Sequence, residues 1–162
     1  MNLKDAYQQQ IQFSFMVSRK YIEDLTDADL LVRSVPGTNH IAWQLGHLIT
    51  STDRFLQALG HSGLKLPEGF AARHDKTTAD SDDPAHFETQ ATYLTLLDQC
   101  QAASLAAIDT TPESAYDNPG PEPMRAYAPT VSAVLMLMGT HWLMHAGQYV
   151  PVRRKLGKPA LF

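Results

Sequence analysis

Two histidines four residues apart, His141 and His145, stand in a long run of helix-forming residues. In an α-helix such a pair shares one face, with Cβ atoms roughly 5–6 Å apart, so that both imidazoles can hold one metal ion. A third histidine, His47, lies in a separate apolar segment with helical spacing. Three neutral imidazoles suit zinc or nickel and leave a coordination position for water or substrate. The sequence therefore predicts a divalent-metal site formed by His47, His141 and His145.

The histidine pair also has a simpler interpretation, since a histidine on an apolar helix face is more often a hydrogen-bonded core residue than a ligand. Two buried rings without a shared partner would leave polar groups unpaired, at a cost of about 1–3 kcal/mol each, which favours the metal interpretation. His40 shares a face with His47 and is the reserve ligand. Three further histidines fall in polar connections or a first helical turn, where solvated rings are common: His61, His74 and His86.

The composition indicates one soluble cytoplasmic domain covering residues 1–162. A formal net charge of −4 argues against a nucleic-acid partner, which usually selects for a basic excess. The single cysteine, Cys100, excludes an internal disulfide and suits a reducing compartment. No apolar run reaches membrane-spanning length, and the N-terminal residues lack the apolar core of a signal peptide. We therefore expect no membrane association.

Apolar residues recur at helical spacing in four segments, and no alternating strand pattern occurs. The predicted helices cover residues 3–25, 39–59, 83–108 and 130–156. Thr38 or Asn39 caps the second helix, and Asp83-Pro84 starts the third. This pattern predicts an all-α four-helix bundle with two long connections.

Two details of the helices can be compared directly with a structure. Arg153, Arg154 and Lys155 form a basic cluster that is typical of a solvated helix end. On the third helix, the spacing predicts a core face consisting of Phe87, Ala91, Leu94, Leu97, Gln101, Leu105 and Ile108.

The segment Trp43-Gln44-Leu45-Gly46-His47-Leu48, together with the segment from His141 to Gln148, resembles the DinB-like superfamily over nearly the whole chain. This resemblance implies a four-helix bundle in up-down-down-up order. It also implies a long crossover between the second and third helices, for which residues 61–82 are suitable. A three-histidine site for a divalent ion on His47, His141 and His145 is implied as well, and so is a homodimer.

The resemblance further implies a reaction, because characterised members use low-molecular-weight thiols in isomerases and transferases. We therefore expect a metal-dependent thiol S-transferase acting on a small molecule, with Trp43, Tyr127 and Gln148 as candidate pocket residues. Two alternatives stay open: a hydrolase in which the ion activates water, and a non-catalytic, stress-related structural dimer. A pocket above the metal would favour an enzyme, and a closed four-ligand site would favour the structural protein.

Overall fold

The computed structural model describes residues 2–162, which form helices joined by turns and loops. The helices are α1 (Leu3–Ile22), α2 (Asp27–Leu30), α3 (Ile41–Ala58), α4 (Phe70–Arg73), α5 (Gln90–Thr110) and α6 (Val131–Lys155). Four short 3-10 turns lie in the connections, and residues 2–162 contain no β-strand. The predicted all-α class is confirmed.

Each of the four long helices begins at a residue whose side chain accepts a hydrogen bond from the backbone N–H three residues later, which satisfies a donor that the helix leaves free. The capping residues are Asn2, His40, Thr89 and Thr130. His40 therefore replaces the predicted Thr38 or Asn39, and its Nδ1 accepts the N–H of Trp43 at 3.1 Å.

The core lies between α1, α3, α5 and α6. Helix α1 packs against α5 and α6, and α3 packs against the same two helices. Contacts at the helix ends show how these neighbours run: Lys4 at the start of α1 donates to the carbonyl of Asp109 at the end of α5, at 2.6 Å. At the opposite end, Gln90 at the start of α5 donates to the carbonyl of Glu23, at 2.9 Å.

Helix α5 begins later than the sequence predicts. Asp83-Pro84 opens only a 3-10 turn, Phe87 is extended, and Thr89 caps the helix. Its buried face consists of Tyr93, Leu96, Leu97, Cys100, Ser104, Ala107 and Ile108. Of the predicted core face, Leu97 and Ile108 are buried, and Phe87, Leu94 and Leu105 are partly buried against the core, whereas Ala91 is exposed and Gln101 is only half-buried. Apolar residues occur on adjacent faces of α5, and periodicity therefore did not show which of these faces is the most deeply buried.

Arg153 corrects the prediction of a fully solvated basic cluster. Its side chain is buried, and its guanidinium donates to Asp24 Oδ1 at 2.5 Å and to the Tyr21 carbonyl at 2.9 Å. Hydrogen bonding to this guanidinium lowers the pKa of Asp24. Arg154 and Lys155 are exposed, as expected. Arg153 therefore ties the end of α6 to the end of α1.

The crossover between α3 and α5 docks closely on α3. Helix α4 brings His74 against Gly46, where an added Cβ would lie only 1.9 Å from His74 Cδ2. The prediction of a solvated His74 was wrong: the ring is buried, with Nδ1 2.8 Å from the Phe70 carbonyl and Nε2 2.7 Å from the Tyr93 hydroxyl. The polar sequence around His74 did not indicate that α4 would fold it inward.

No helix within residues 2–162 has both the length and the hydropathy that are needed to cross a membrane.

Candidate metal centre

The structure brings His47, His141 and His145 together between α3 and α6. One potential ligand atom from each ring lies within 4.8 Å of the other two. The ring centroids of His47 lie 5.2 Å from His141 and 5.4 Å from His145, and the latter two are 4.9 Å apart. Among residues 2–162 this is the one cluster of its kind. Its three nitrogen donors fit a tetrahedral divalent ion with a free fourth position.

All three imidazoles are disposed toward the neutral form that binds metals. Burial lowers the pKa of His145 to about 3 and that of His141 to about 4, and the pKa of His47 is also lowered by burial. Nearby Arg54 and Lys76 lower the pKa of His47 further. The nitrogen lone pairs are therefore free at neutral pH, and in the folded protein protons compete for those of His141 and His145 only well below the ordinary histidine pKa of about 6.5.

Gln44 determines which nitrogen of His145 is free to bind a metal. The Gln44 amide Nε2 donates to the Asn39 carbonyl at 2.7 Å, which requires Oε1 to face His145 Nδ1, 2.8 Å away. An amide oxygen only accepts hydrogen bonds, so Nδ1 of His145 carries the proton and Nε2 keeps its lone pair. Metal-binding histidines usually have such a partner on the second ring nitrogen. The site is therefore prepared for an ion by a chain of two hydrogen bonds.

Trp43 holds His47 from the side. Its ring stacks on the imidazole at 5.3 Å with an interplanar angle of 6°. Its indole N–H donates to the Asp75 carbonyl at 3.0 Å, so the crossover fixes the tryptophan in turn. Trp43 thus orients the candidate ligand His47 and does not line the cavity that adjoins the site.

That cavity has a volume of about 370 Å³, and two imidazoles of the cluster, His47 and His141, form part of its wall. The remaining lining residues are Ser51, Arg54, Phe55, Met124, Tyr127, Leu137 and Met144. Of the expected pocket residues, Tyr127 lies here, whereas Gln148 is exposed to solvent because α6 turns it away from the bundle. The arrangement can admit a small molecule to the open side of a bound ion.

The other histidines lie outside the cluster. His40 is not available as a reserve ligand, because Nδ1 caps α3 and Nε2 lies 3.0 Å from the Ser81 carbonyl. His61 lies near the Thr111 hydroxyl, and His86 is exposed.

Three residues of the site escaped the sequence analysis: Gln44, Ser51 and Arg54. The helical spacing places Gln44 and Ser51 on the face that also carries His47, which was the available signal. Nothing in the local sequence indicates that Gln44 meets His145 from the other end of the chain. Arg54 lies two turns after His47 and appeared as an ordinary polar residue.

Comparison with known proteins identifies the family and agrees with the fold. A family model described as the DinB superfamily matches residues 10–149, so the chain belongs to the DinB superfamily, whose members commonly bind metals. The chain is also similar to a solved protein described as the conserved protein of locus from Enterococcus faecalis. The TM-score is 0.72 at 18% identity, over 98% of this chain and 99% of that one, which shows a shared fold. No curated protein matches.

Proposed function

We propose that this protein binds one zinc or nickel ion through His47, His141 and His145 and transfers a low-molecular-weight thiol to an electrophilic small molecule. The observation that carries the proposal is the position of the cluster: three neutral imidazoles converge beside a cavity of about 370 Å³. Three protein ligands beside a cavity are typical of a site with an exchangeable ligand, whereas structural zinc sites are closed by four protein ligands.

A bound divalent ion supplies the positive charge that favours the thiolate form of a thiol at neutral pH. The protein holds His145 in place through Gln44 and His47 in place through Trp43. Apolar side chains such as Phe55 and Leu137 keep part of the cavity wall dry, which strengthens electrostatic interactions inside it. The thiolate sulfur then forms a bond to the electrophilic carbon, and the leaving group departs with its electron pair.

The test combines metal analysis with a thiol-conjugation assay. We expect about one zinc or nickel ion per chain, and thiol consumption with an electrophile such as a haloalkane that stops in chelator and returns when metal is restored. Conjugation that is unaffected by metal removal would refute the metal-dependent transfer. A protein that carries metal but consumes no thiol would leave only the metal-binding part of the proposal.

The proposal also includes the direction of each long helix and the location of the protein in the cell. We take the order to be up-down-down-up. The end contacts between α1 and α5 support this order, because the start of each of these helices meets the end of the other. The alignment of Gln44 with His145 and of Thr52 with Trp142 supports antiparallel α3 and α6.

A cytoplasmic location is in keeping with the single buried thiol of Cys100.

We further propose a homodimer, which three exposed apolar side chains on α1 and α6 support: Phe13, Met16 and Met136. Light scattering at micromolar concentration should give twice the chain mass of 18.0 kDa. A value of one chain mass over that range would contradict this part of the proposal.

A further inference from the structure

The cavity beside the histidine cluster contains two polar side chains that the proposed metal site does not use. Both are on α3, in the two turns after His47, and both line the cavity: Ser51 and Arg54. From the helical rise, Ser51 lies about 6 Å and Arg54 about 10 Å along the axis from His47, on nearly the same face. The metal ligand, the hydroxyl and the guanidinium therefore follow one another along a single wall.

Arg54 differs from most arginines of the chain in having no acidic partner. Four arginines form salt bridges with carboxylates: Arg19, Arg33, Arg73 and Arg153. Arg54 forms no salt bridge or side-chain hydrogen bond within residues 2–162, and the cavity wall contains no aspartate or glutamate. The carboxylate of Asp75 lies near enough to feel the charge of Arg54 but forms no salt bridge with it. The guanidinium therefore keeps its planar set of donors, which matches a carboxylate, available at the cavity.

Ser51 supplies a hydroxyl to the same wall of the cavity. Its side chain is only 8% exposed, yet its hydroxyl makes no hydrogen bond within residues 2–162. By comparison, the hydroxyl of the next residue, Thr52, donates a hydrogen bond to the Leu48 carbonyl at 2.9 Å, as serines and threonines in helices commonly do. Because solvent still reaches the Oγ atom and Ser51 lines the cavity, a ligand in the cavity can bind this hydroxyl.

We propose that the cavity binds a small molecule that carries a carboxylate, and that Arg54 and Ser51 bind this carboxylate while the other end of the molecule reaches the metal. The inference rests on the proposed function, in which that other end is a thiol. The apolar side chains of Phe55, Leu137 and Met144 suit the carbon chain between the two ends. The volume, at the lower end of the range for ligand sites, suits a small metabolite.

Two thiols of equal length test the inference: 6-mercaptohexanoate and 6-mercapto-1-hexanol. Their affinities for the zinc-loaded protein are measured anaerobically by calorimetry, with a parallel titration in chelator. We expect the carboxylate thiol to bind about tenfold more tightly, because a charge-assisted hydrogen bond to a partly solvated arginine is worth about that much. The preference should decrease at high salt, which screens the charge.

Arg54→Gln should bring the ratio of the two affinities to about one, and Ser51→Ala should reduce the ratio. Because the ratio compares two thiols on the same variant, any effect of Arg54 on the neighbouring His47 cancels. The matched control is Arg154→Gln, which removes another exposed, unpaired arginine that lies at the far end of α6, away from the cavity. It should keep the wild-type preference. Thermal melts confirm that each variant is folded.

The outcomes separate the two proposals. Equal, chelator-sensitive binding of both thiols to the wild type would overturn the carboxylate site and leave the thiol chemistry standing. A preference that persists in Arg54→Gln would overturn the role of Arg54. Failure of both thiols to bind the zinc-loaded protein would overturn both proposals.

Discussion

The hydrogen-bonded chain from Asn39 through Gln44 to His145 leads to a quantitative prediction about metal affinity. The perturbation is Gln44→Met, which keeps the length and volume of the side chain but removes both hydrogen bonds, of 2.7 and 2.8 Å. We expect the variant to fold and to bind zinc more weakly than the wild type.

The magnitude follows from the tautomer of His145. Without an acceptor at Nδ1, the metal-free ring can move its proton to Nε2, on the side of the other two imidazoles. Metal binding then forces the proton back to Nδ1. That N–H is buried beside the methionine side chain, which is only a weak hydrogen-bond acceptor. An unpaired buried donor costs about 1–3 kcal/mol. At 1.4 kcal/mol for each factor of ten, zinc affinity should fall roughly 5- to 150-fold. Loss of a residue that hydrogen-bonds a metal-binding histidine typically weakens metal binding 10–100-fold, which lies within this range.

The assay is competition for zinc against a chromophoric chelator at neutral pH, with the folded state of each variant checked by circular dichroism. Gln148→Met is the matched control, because it makes the same chemical change at an exposed position of α6. In the metal-free protein, nitrogen NMR shifts of His145 report the tautomer directly. Equal zinc affinity of wild type and Gln44→Met, or a His145 ring protonated at Nε2 in the wild type, would refute the reasoning.

Three further predictions concern the ligands, the crossover and pH. His145→Ala should lose most of its metal in elemental analysis, whereas His86→Ala, which changes an exposed ring, should retain it; equal metal content in the two would refute the site. Gly46→Ala should lower the free energy of unfolding by about 1–3 kcal/mol, because the new Cβ overlaps the ring of His74. By contrast, a Cβ added at Gly147 has no neighbouring atom within 4 Å, so Gly147→Ala should raise the free energy of unfolding by about 0.5–1 kcal/mol. Urea denaturation of both variants measures the two changes. Burial also lowers the pKa of His74 to about 4 in the folded protein, so between pH 6.5 and 4 the unfolded chain binds more protons. The metal-free protein should therefore lose stability as the pH falls through that window, and a flat pH profile in urea denaturation would contradict the burial.

The long helices were predictable because each carries its own apolar period and, for the most part, its own cap. Helix α6 was found almost to the residue, since Thr130 and Leu156 bound an unusually apolar run. The start of α5 was not, because Asp83-Pro84 has the chemistry of a helix start and forms only a single 3-10 turn before Thr89 begins the helix. A local signal cannot show which of two nearby caps the bundle will use.

The candidate site likewise contains residues that the sequence predicted and residues that it did not. The i, i+4 spacing was enough to pair His141 with His145. The helical spacing around His47, together with the family resemblance, indicated the third residue of the cluster. Gln44 and His74 depend on contacts between distant segments: Gln44 meets a ring 101 residues away, and His74 is buried only because α4 folds it onto Gly46. Such pairings leave no periodic trace in one sequence.

The distribution of the three ligands along the chain has a consequence for folding. His47 is in the second long helix, and the other two are in the last, so a chain that ends before α6 carries one ligand and cannot form the proposed site. Under the proposed ligation, an ion joins the protein only after the final helix has docked. Interactions formed that late slow unfolding and leave the folding rate nearly unchanged. The ion would slow the unfolding of the completed bundle, so the lifetime of the folded protein would depend on the concentration of available metal.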